Sequence, residues 1–558
     1  MKIIPRCFLL LAACALSRLA AAPFDVKSFG ATGDGRTLDT AAVNKAIEAA
    51  AAAGGGTVEF PAGNYLCYSI HLKSHVTLHL DAGATIVAAE PSADLSVGYD
   101  APEPNPITEY YEDFGHSHWH NSLIWGEDLE DIAITGTGRI FGRGLSKGGG
   151  RRDFLPEERA ARREVGAPGG NTRVAFPLPE SAVAAIAAQQ RGPFGYPGND
   201  TLPAGVGNKA IALKNCRNVI FRDFTIYHGG HFAILATGVT NWVCDGLKID
   251  TNRDGIDFDC CQNVRVSNCT INSPYDDGIC PKSSYALGRV HPTENITISN
   301  CQVSGFDEGT LLDGTRQKKV MTTPGTGRIK CGTEANGGFR NITISNCVFE
   351  WCRGLALEEV DGGLLEDVTV TNLTMRDIGN APIYVRLGRR LRGPDPIAIG
   401  AARRIKIDNV VAHNVAAESG ILLVGEPDHP IEDLSLSNIF IDFAGGGTAE
   451  QAQREVPAEE RDRYPEPSRL GTMPSWGLFA RHVKNLDVSH VELRVAKEDL
   501  RPVIQLDNVA EATFDAVKFP HAANVPTFVL KNVAGFAVHN SRGLPETNRL
   551  EKIERDRL

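Results

Sequence analysis

The sequence predicts an all-β fold, a solenoid of stacked coils capped at its N-terminal end by a helix and interrupted by long loop insertions. Three observations lead there. A short phrase recurs as Ile211-Ala212-Leu213-Lys214-Asn215-Cys216, Val264–Cys269, Ile296–Cys301 and Ile342–Cys347, and Val368–Asn372, Ile405–Asn409, Leu434–Asn438, Leu486–His490 and Phe528–Asn532 carry it toward the C-terminus. Its copies lie roughly 24 residues apart or more, as in repeats that bury a shared core by stacking. Apolar residues at every second place point inward, and an asparagine at each turn can bond its copies in the coils above and below. Finally, 57 glycines in 558 residues, with Val/Ile/Thr alternation through most of the chain, favour one long repetitive domain over several small ones.

Residues 1–22 read as an export signal. Lys2 and Arg6 precede an apolar run from Cys7 to Leu16, and Ala20-Ala21-Ala22 follows. The run is too short to span a membrane. Pro23 is a poor neighbour for cleavage after Ala22, and Leu11-Ala12-Ala13-Cys14 resembles a bacterial lipoprotein box, so a periplasmic or extracellular protein and one anchored by a lipid on Cys14 both remain open. Residues 23–558 form the single solenoid domain. After the extended segment Phe24–Gly35, Asp39 is placed to cap a helix over Thr40–Ala53, which Gly54–Gly56 stop. Strands follow at Thr57–Phe60, Val76–Leu80 and Gly83–Val87. A lone amphipathic helix before a repetitive β body closes the open sheet edge.

Two insertions break the rhythm. Residues 103–207 hold one strand unit, Ile132–Gly142, an aromatic stretch Tyr110–Trp125 and a basic segment with Arg151, Arg152, Arg159, Arg162 and Arg163; residues 445–476 are charged and proline-bearing. Loops this long on a regular solenoid are expected to form functional walls or lids. The net charge of −11 argues against nucleic acid as a partner. An acidic sugar polymer would need a local basic patch. Of the thirteen cysteines, Cys216, Cys269, Cys301 and Cys347 each follow an asparagine and read as small buried ladder residues, with a few bridges, for example through Cys260 or Cys261, left open.

The densest chemistry lies between Asn252 and Lys282: Asn252-Arg253-Asp254-Gly255-Ile256-Asp257, then Tyr275-Asp276-Asp277-Gly278-Ile279-Cys280-Pro281-Lys282. Carboxylates one repeat apart on a rigid wall suit a reaction needing a general acid and a general base. These two stretches, together with Phe24-Asp25-Val26-Lys27-Ser28-Phe29-Gly30-Ala31-Thr32-Gly33-Asp34-Gly35, resemble glycoside hydrolase family 28, the polygalacturonases and their relatives, across nearly the whole mature chain. The resemblance implies a right-handed parallel β-helix and an inverting pectin hydrolase that needs no metal or cofactor. It implies Asp276 as the general acid on the departing glycosidic oxygen, Asp254 and Asp277 as the holders of the attacking water, and Asn252 as their support. Crowded carboxylates raise one another's pKa, and inversion calls for carboxyl groups roughly 6.5–9.5 Å apart. Asp257, Asp259 and Asp313 read as turn formers.

Departures from the family pattern bear on substrate. The family's Gly-His-Gly is missing; its counterpart is Asp307-Glu308-Gly309 or Gly325-Thr326-Gly327, according to the side of the Leu311–Pro324 insertion aligned. The family's Gly-x-Arg-Ile-Lys, whose cations bind the galacturonate carboxylate, falls by coil counting on Gly354–Glu358, so that Ala356 and Glu358 replace the cations. A literal Arg328-Ile329-Lys330 stands one coil earlier, alternates onto one face and offers replacement charge. Lys282 and His231 complete the expected substrate contacts, with His228 beside His231, and Arg386, Arg389 and Arg390 either meet an acidic neighbouring sugar or form a solvated turn. His116, His118 and His120 alternate as on a strand but lack an acidic or cysteine partner at fixed spacing, which argues against a metal. The expected function is cleavage of pectic polysaccharide or oligosaccharide, exo-acting because the insertions close one end of the groove. A rhamnogalacturonan hydrolase or rhamnosidase, a β-helix lyase or epimerase, and a non-catalytic glycan binder are the alternatives.

Overall fold

The structure, a computed structural model, describes residues 23–105, 111–147, 151–153, 173–175, 202–394, 396–458, 464–520, 522 and 524–558. Helix α1, Thr40–Ala52, lays Val43, Ala46, Ile47 and Ala50 onto the first coil. Asp39 precedes it but does not cap it: its carboxylate accepts from the Thr32 and Gly33 amides at 2.7 and 3.0 Å, pinning the Gly30–Gly35 loop instead. Among the described residues no helix is long and apolar enough to cross a membrane.

The body is a parallel β-helix. One wall is a six-stranded parallel sheet running β1 (Ile70–His71), β2 (Ile124–Glu127), β3 (Lys209–Lys214), β4 (Phe232–Thr237), β5 (Asp254–Asp259) and β6 (Ile279–Lys282). It continues through β7 (Lys330–Cys331) and β8 (Arg353–Glu359) to Ile383–Leu387, Ile421–Val424 and Leu478–Arg481. The inward row of this wall, Ile211, Ile234, Ile256, Ile279, Ile329, Leu355 and Ile383, is fully buried. At the C-terminal end Thr547–Arg549 and Ile553–Arg557 fold back antiparallel on Phe528–His539 and cover the last open edge.

The opposite side of each coil carries the repeated phrase and its asparagine ladders. Asn241, Asn263, Asn295 and Asn341 each donate to the asparagine one coil earlier at 2.8–3.0 Å; a second ladder joins Asn300, Asn346, Asn372 and Asn409. All these asparagines sit at φ near +55°, a left-handed corner that asparagine tolerates better than most residues. Two copies of the phrase lie on a different face of the coil from the rest. Ile211–Lys214 pairs with β2 and β4 in the site wall, and the neighbours of Val264 in preceding coils are Trp242 and Val219. Likewise Phe528 pairs with Ile504 on the wall side, so the ladder copy in that coil is Phe536–Asn540. Inward apolar alternation occurs on every face of a coil, and alternation alone does not say which face.

The cysteines behave as small core residues. Cys216, Cys269, Cys301 and Cys347 are at most 2% exposed, and all eleven described cysteines, Cys260 and Cys261 included, are free thiols. The expected export signal, residues 1–22, lies outside the described residues, as do the side chains of the basic segment; of the latter only the backbone pairing of Arg151–Asp153 with Arg173–Ala175 is described.

Candidate active site

The outward face of the wall is covered on both sides and open between. Toward the N-terminal coils, Trp119 lies over Ala212, Phe232 and Leu235, its indole donating to Thr237 Oγ1 at 3.0 Å. Toward the C-terminal coils, Leu470 and Met473 of the second insertion pack on Ala356, Tyr384 and Phe479. Between them a cavity of about 430 Å3 has Asp276 and Asp277 on its wall, with Arg328, Lys330, Glu466 and Arg469 opposite and beside them.

Asp254 begins β5, and Asp276 and Asp277 lead into β6. Gly255 lets the two coils close: a Cβ there would stand 2.4 Å from the Gly278 carbonyl. The Gly255 amide donates to the Asp277 carbonyl at 3.0 Å, and one oxygen from each of Asp254, Asp276 and Asp277 lies within 4.8 Å of the other two. That is shorter than the separation expected of an inverting pair. Such a trio could gather a cation, yet protein cations already face it. Lys330 Nζ stands 2.6 Å from Asp277 Oδ2 and Arg328 Nε donates to Asp277 Oδ1 at 2.9 Å. Arg253 donates to Asp276 Oδ2 through Nη2 at 2.7 Å.

These contacts separate the carboxyls electrically. Burial pushes Asp277 upward, but Lys330 and Arg328 outweigh it and hold Asp277 well below the usual carboxylate range. Asp254 goes the other way, raised well above that range by burial and then by Asp257 and Asp276. The cations thus favour the ionised form of Asp277, and burial with its carboxylate neighbours favours the protonated form of Asp254. Asp276, at 26% side-chain exposure, faces the cavity.

The remaining expected residues fall in three places. Asn252 is buried, accepting from Lys147 at 3.1 Å and donating to Glu308 at 3.3 Å. Lys282, His231 and Asp257 lie behind the carboxylates. Lys282 Nζ is 3.0 Å from Glu334 and 3.5 Å from Asp257; His231 Nδ1 is 2.8 Å from the Lys147 carbonyl and 3.1 Å from Arg253, and burial and Arg253 lower its pKa well below normal. Arg328 and Lys330 are brought to the site on the coil after β6, spent on Asp277, with Arg328 also on Glu466 at 3.0 Å. Glu358, one coil further, is buried, takes Thr333 Oγ1 at 3.3 Å and is pushed up to about 7 by burial. Gly325-Thr326-Gly327 leads into Arg328 with Thr326 on the cavity, whereas Glu308 sits deeper, 2.7 Å from His228.

Several expectations change. Asp257 is no turn former: it is mid-strand and fully buried, its oxygens make no hydrogen bond among the described residues, and burial pushes it up to about 7. Asp259 instead binds the Ser284 amide at 2.7 Å, whereas Asp313 is a turn former, on the Thr315 amide. His116, His118 and His120 do not share a strand. Asp113 caps a turn of helix at Phe114–Ser117, and the three rings meet Asp113, the Phe114 carbonyl and Glu127 respectively. Arg386 and Arg390 are buried, Arg389 is partly exposed, and none of the three lines the cavity: the first and last are no solvated turn, Arg386 and Arg389 holding Glu426 at 2.5 and 2.7 Å and Arg390 holding Asp361 and Glu334. Sequence reasoning missed Arg253, which lay inside the quoted motif, and Tyr464, Glu466 and Arg469, which arrive from the second insertion.

With this geometry in view, comparison with known proteins is informative. A family described as "Rhamnogalacturonase A/epimerase, pectate lyase-like" matches residues 24–118, and one described as "Right handed beta helix region" matches residues 204–320. The exo-poly-alpha-D-galacturonosidase of Dickeya chrysanthemi is 26% identical over 58% of this chain, and a probable polygalacturonase of Vitis vinifera is 24% identical over 75%. The chain is polygalacturonase-like. It spans 54% of the Dickeya relative and 73% of the Vitis one. The family 28 exopolygalacturonase of Yersinia enterocolitica superposes with a TM-score of 0.55 at 18% identity, over 94% of this chain and 78% of that one, which shows the fold. The polygalacturonase-like chain is thus a right-handed parallel β-helix.

Proposed function

We propose that this chain is an exported glycoside hydrolase that cleaves pectic polysaccharide or oligosaccharide from a chain end. The observation that carries the reading is the trio Asp254, Asp276 and Asp277 on adjoining coils at a cavity, with Asp277 held ionised by Arg328 and Lys330. In it Asp277 is the base that orients and deprotonates water. Asp276, facing the cavity, protonates the departing glycosidic oxygen with a proton that buried Asp254 passes to its carboxylate as substrate displaces Arg253, while Asp277 takes the matching proton from the water. Inversion then places the water on the outer oxygens of Asp254 and Asp277, since the nearest ones leave little room. Closure of the wall by Trp119 on one side and Leu470 and Met473 on the other supports attack at chain ends, as do the names of the Dickeya and Yersinia relatives.

A rhamnogalacturonan hydrolase is the second reading, favoured by the match over residues 24–118 and by Ala356 and Glu358 where the family's cations would stand. A digest panel of polygalacturonate, rhamnogalacturonan and rhamnosides, with the Asp276→Asn protein as blank, tests both. Reducing ends should appear with little fall in viscosity; rapid thinning, or a calcium-dependent ultraviolet-absorbing product that survives Asp276→Asn, would sink the proposal.

A further inference from the structure

We infer that Arg469 is the residue that reads the carboxylate of the sugar filling the cavity, and that this sugar is therefore a uronate. The inference rests on the pectic reading above and narrows it. Four cations line the cavity, Arg328, Lys330, Arg353 and Arg469, against three carboxylates, Asp276, Asp277 and Glu466. The positions that would bind a substrate carboxylate in the family hold Ala356 and Glu358, both fully buried. Three of the four cations are already committed. Lys330 is 2.6 Å from Asp277, Arg328 bridges Asp277 and Glu466 at 2.9 and 3.0 Å, and Arg353 is 2.9 Å from Glu466. Asp276 is meanwhile satisfied from outside the lining by Arg253.

Arg469 is what remains. It is exposed, lines the cavity, and forms no ion pair among the described residues. Its backbone is fixed: the Arg469 amide donates to the Glu466 carbonyl at 2.9 Å, in the short helical turn Pro467–Leu470 whose Leu470 is buried under the insertion. Glu466, by holding Arg328, Arg353 and Asn380, fastens that turn to the coils carrying the carboxylates. The cavity therefore presents one uncompensated guanidinium on a rigid support, the donor set that pairs with a single planar carboxylate. Tyr275 and Tyr464 also line the cavity.

The test compares binding of trigalacturonate with binding of the same trimer after its carboxyls are reduced to neutral galactose, by calorimetry, alongside hydrolysis of both. Arg469→Gln should weaken trigalacturonate roughly ten- to a hundredfold and leave the neutral trimer within twofold, while Arg469→Lys restores most of the loss; thermal melts confirm that the variants fold. The inference is overturned if the wild type does not bind the uronate trimer in preference to the neutral one, or if Arg469→Gln affects both alike or neither. Arg469-dependent uronate binding without hydrolysis would retain the receptor and reject the hydrolase. Hydrolysis of both trimers without charge preference would do the reverse.

Discussion

Two outward-facing rows run along the same stack of coils and are built by opposite rules. On the ladder side, Asn218, Asn241, Asn263, Asn295 and Asn341 repeat one residue in one conformation, and each is satisfied by its own copy. On the wall side no residue repeats. Asp277 is answered by Lys330, Glu466 by Arg328 and Arg353, Glu334 by Lys282, Arg390 and Arg392, each charge by a different partner from another coil or from an insertion. The ladder is exposed and mostly neutral, ending on aspartates such as Asp131, which accepts from Asn218 at 2.8 Å. The wall is charged and buried, so removing one member strands its partner in a place where water cannot replace it.

This contrast can be broken or sharpened by substitution. The largest effect is expected at the carboxylates: Asp276→Asn or Asp277→Asn should lower kcat by about 10²–10⁴-fold in a reducing-sugar assay. Since Asp276 is partly exposed, and its side chain meets Arg253 and accepts from the Asp277 amide at 3.1 Å, a bond that an asparagine Oδ1 can keep, Asp276→Asn should melt near the wild-type temperature.

Next comes Lys330→Met, which leaves Asp277 buried with one cation fewer. A cost of about 3–5 kcal/mol is expected in denaturant unfolding, and adding Asp277→Asn should recover part of it. If Lys330→Met proves neutral alone, the wall is no more demanding than the ladder.

A pH effect of intermediate size follows from Asp257 and Glu358. Burial raises Asp257 from 3.8 to about 7 and Glu358 from 4.5 to about 7. Both carboxyls bind protons more tightly folded than unfolded. Their contribution is therefore fully present below the unfolded values and is lost as pH rises through about 7. Unfolding free energy followed from pH 4 to 8 should show this decline, and Asp257→Asn should flatten it; an unchanged slope would mean that Lys282 and His116 keep Asp257 ionised.

The smallest effect belongs to the ladder. Asn295→Ala, which loses two ladder hydrogen bonds and places alanine at φ +60°, should cost about 1–2 kcal/mol. Asn295→Gly, which suits that corner, should cost less, and neither should alter hydrolysis.

The same contrast explains how much could be read from the chain. Repetition is legible, so the solenoid, the ladders and the buried cysteines followed from the phrase itself, and the capping helix from the alanine-rich stretch that Gly54–Gly56 stop. The carboxylate trio was legible because Asn252–Asp257 and Asp276–Lys282 lie on consecutive coils, one repeat apart. What closes the site was not. Glu466 meets Arg328 from 138 residues away, across an insertion whose path no periodicity dictates. Arg253 was in plain view, but a cation beside an aspartate reads in sequence as any other turn residue. Asp113 ahead of Phe114–Ser117 is a capping signal for the helical turn at His116, and it competes with the strand-like alternation of the histidines.

The free thiols give the molecule a built-in record of its own opening. Cys216, Cys244, Cys269, Cys301 and Cys347 are spread over successive coils and closed to solvent. In a stack whose coils contact chiefly their neighbours, each thiol reacts with an alkylating reagent only when its own coil breathes. Mass mapping of partially alkylated protein would therefore rank the coils by how often they open, and would tell whether the solenoid frays from its ends or parts in the middle, where the insertions clasp the carboxylate-bearing wall.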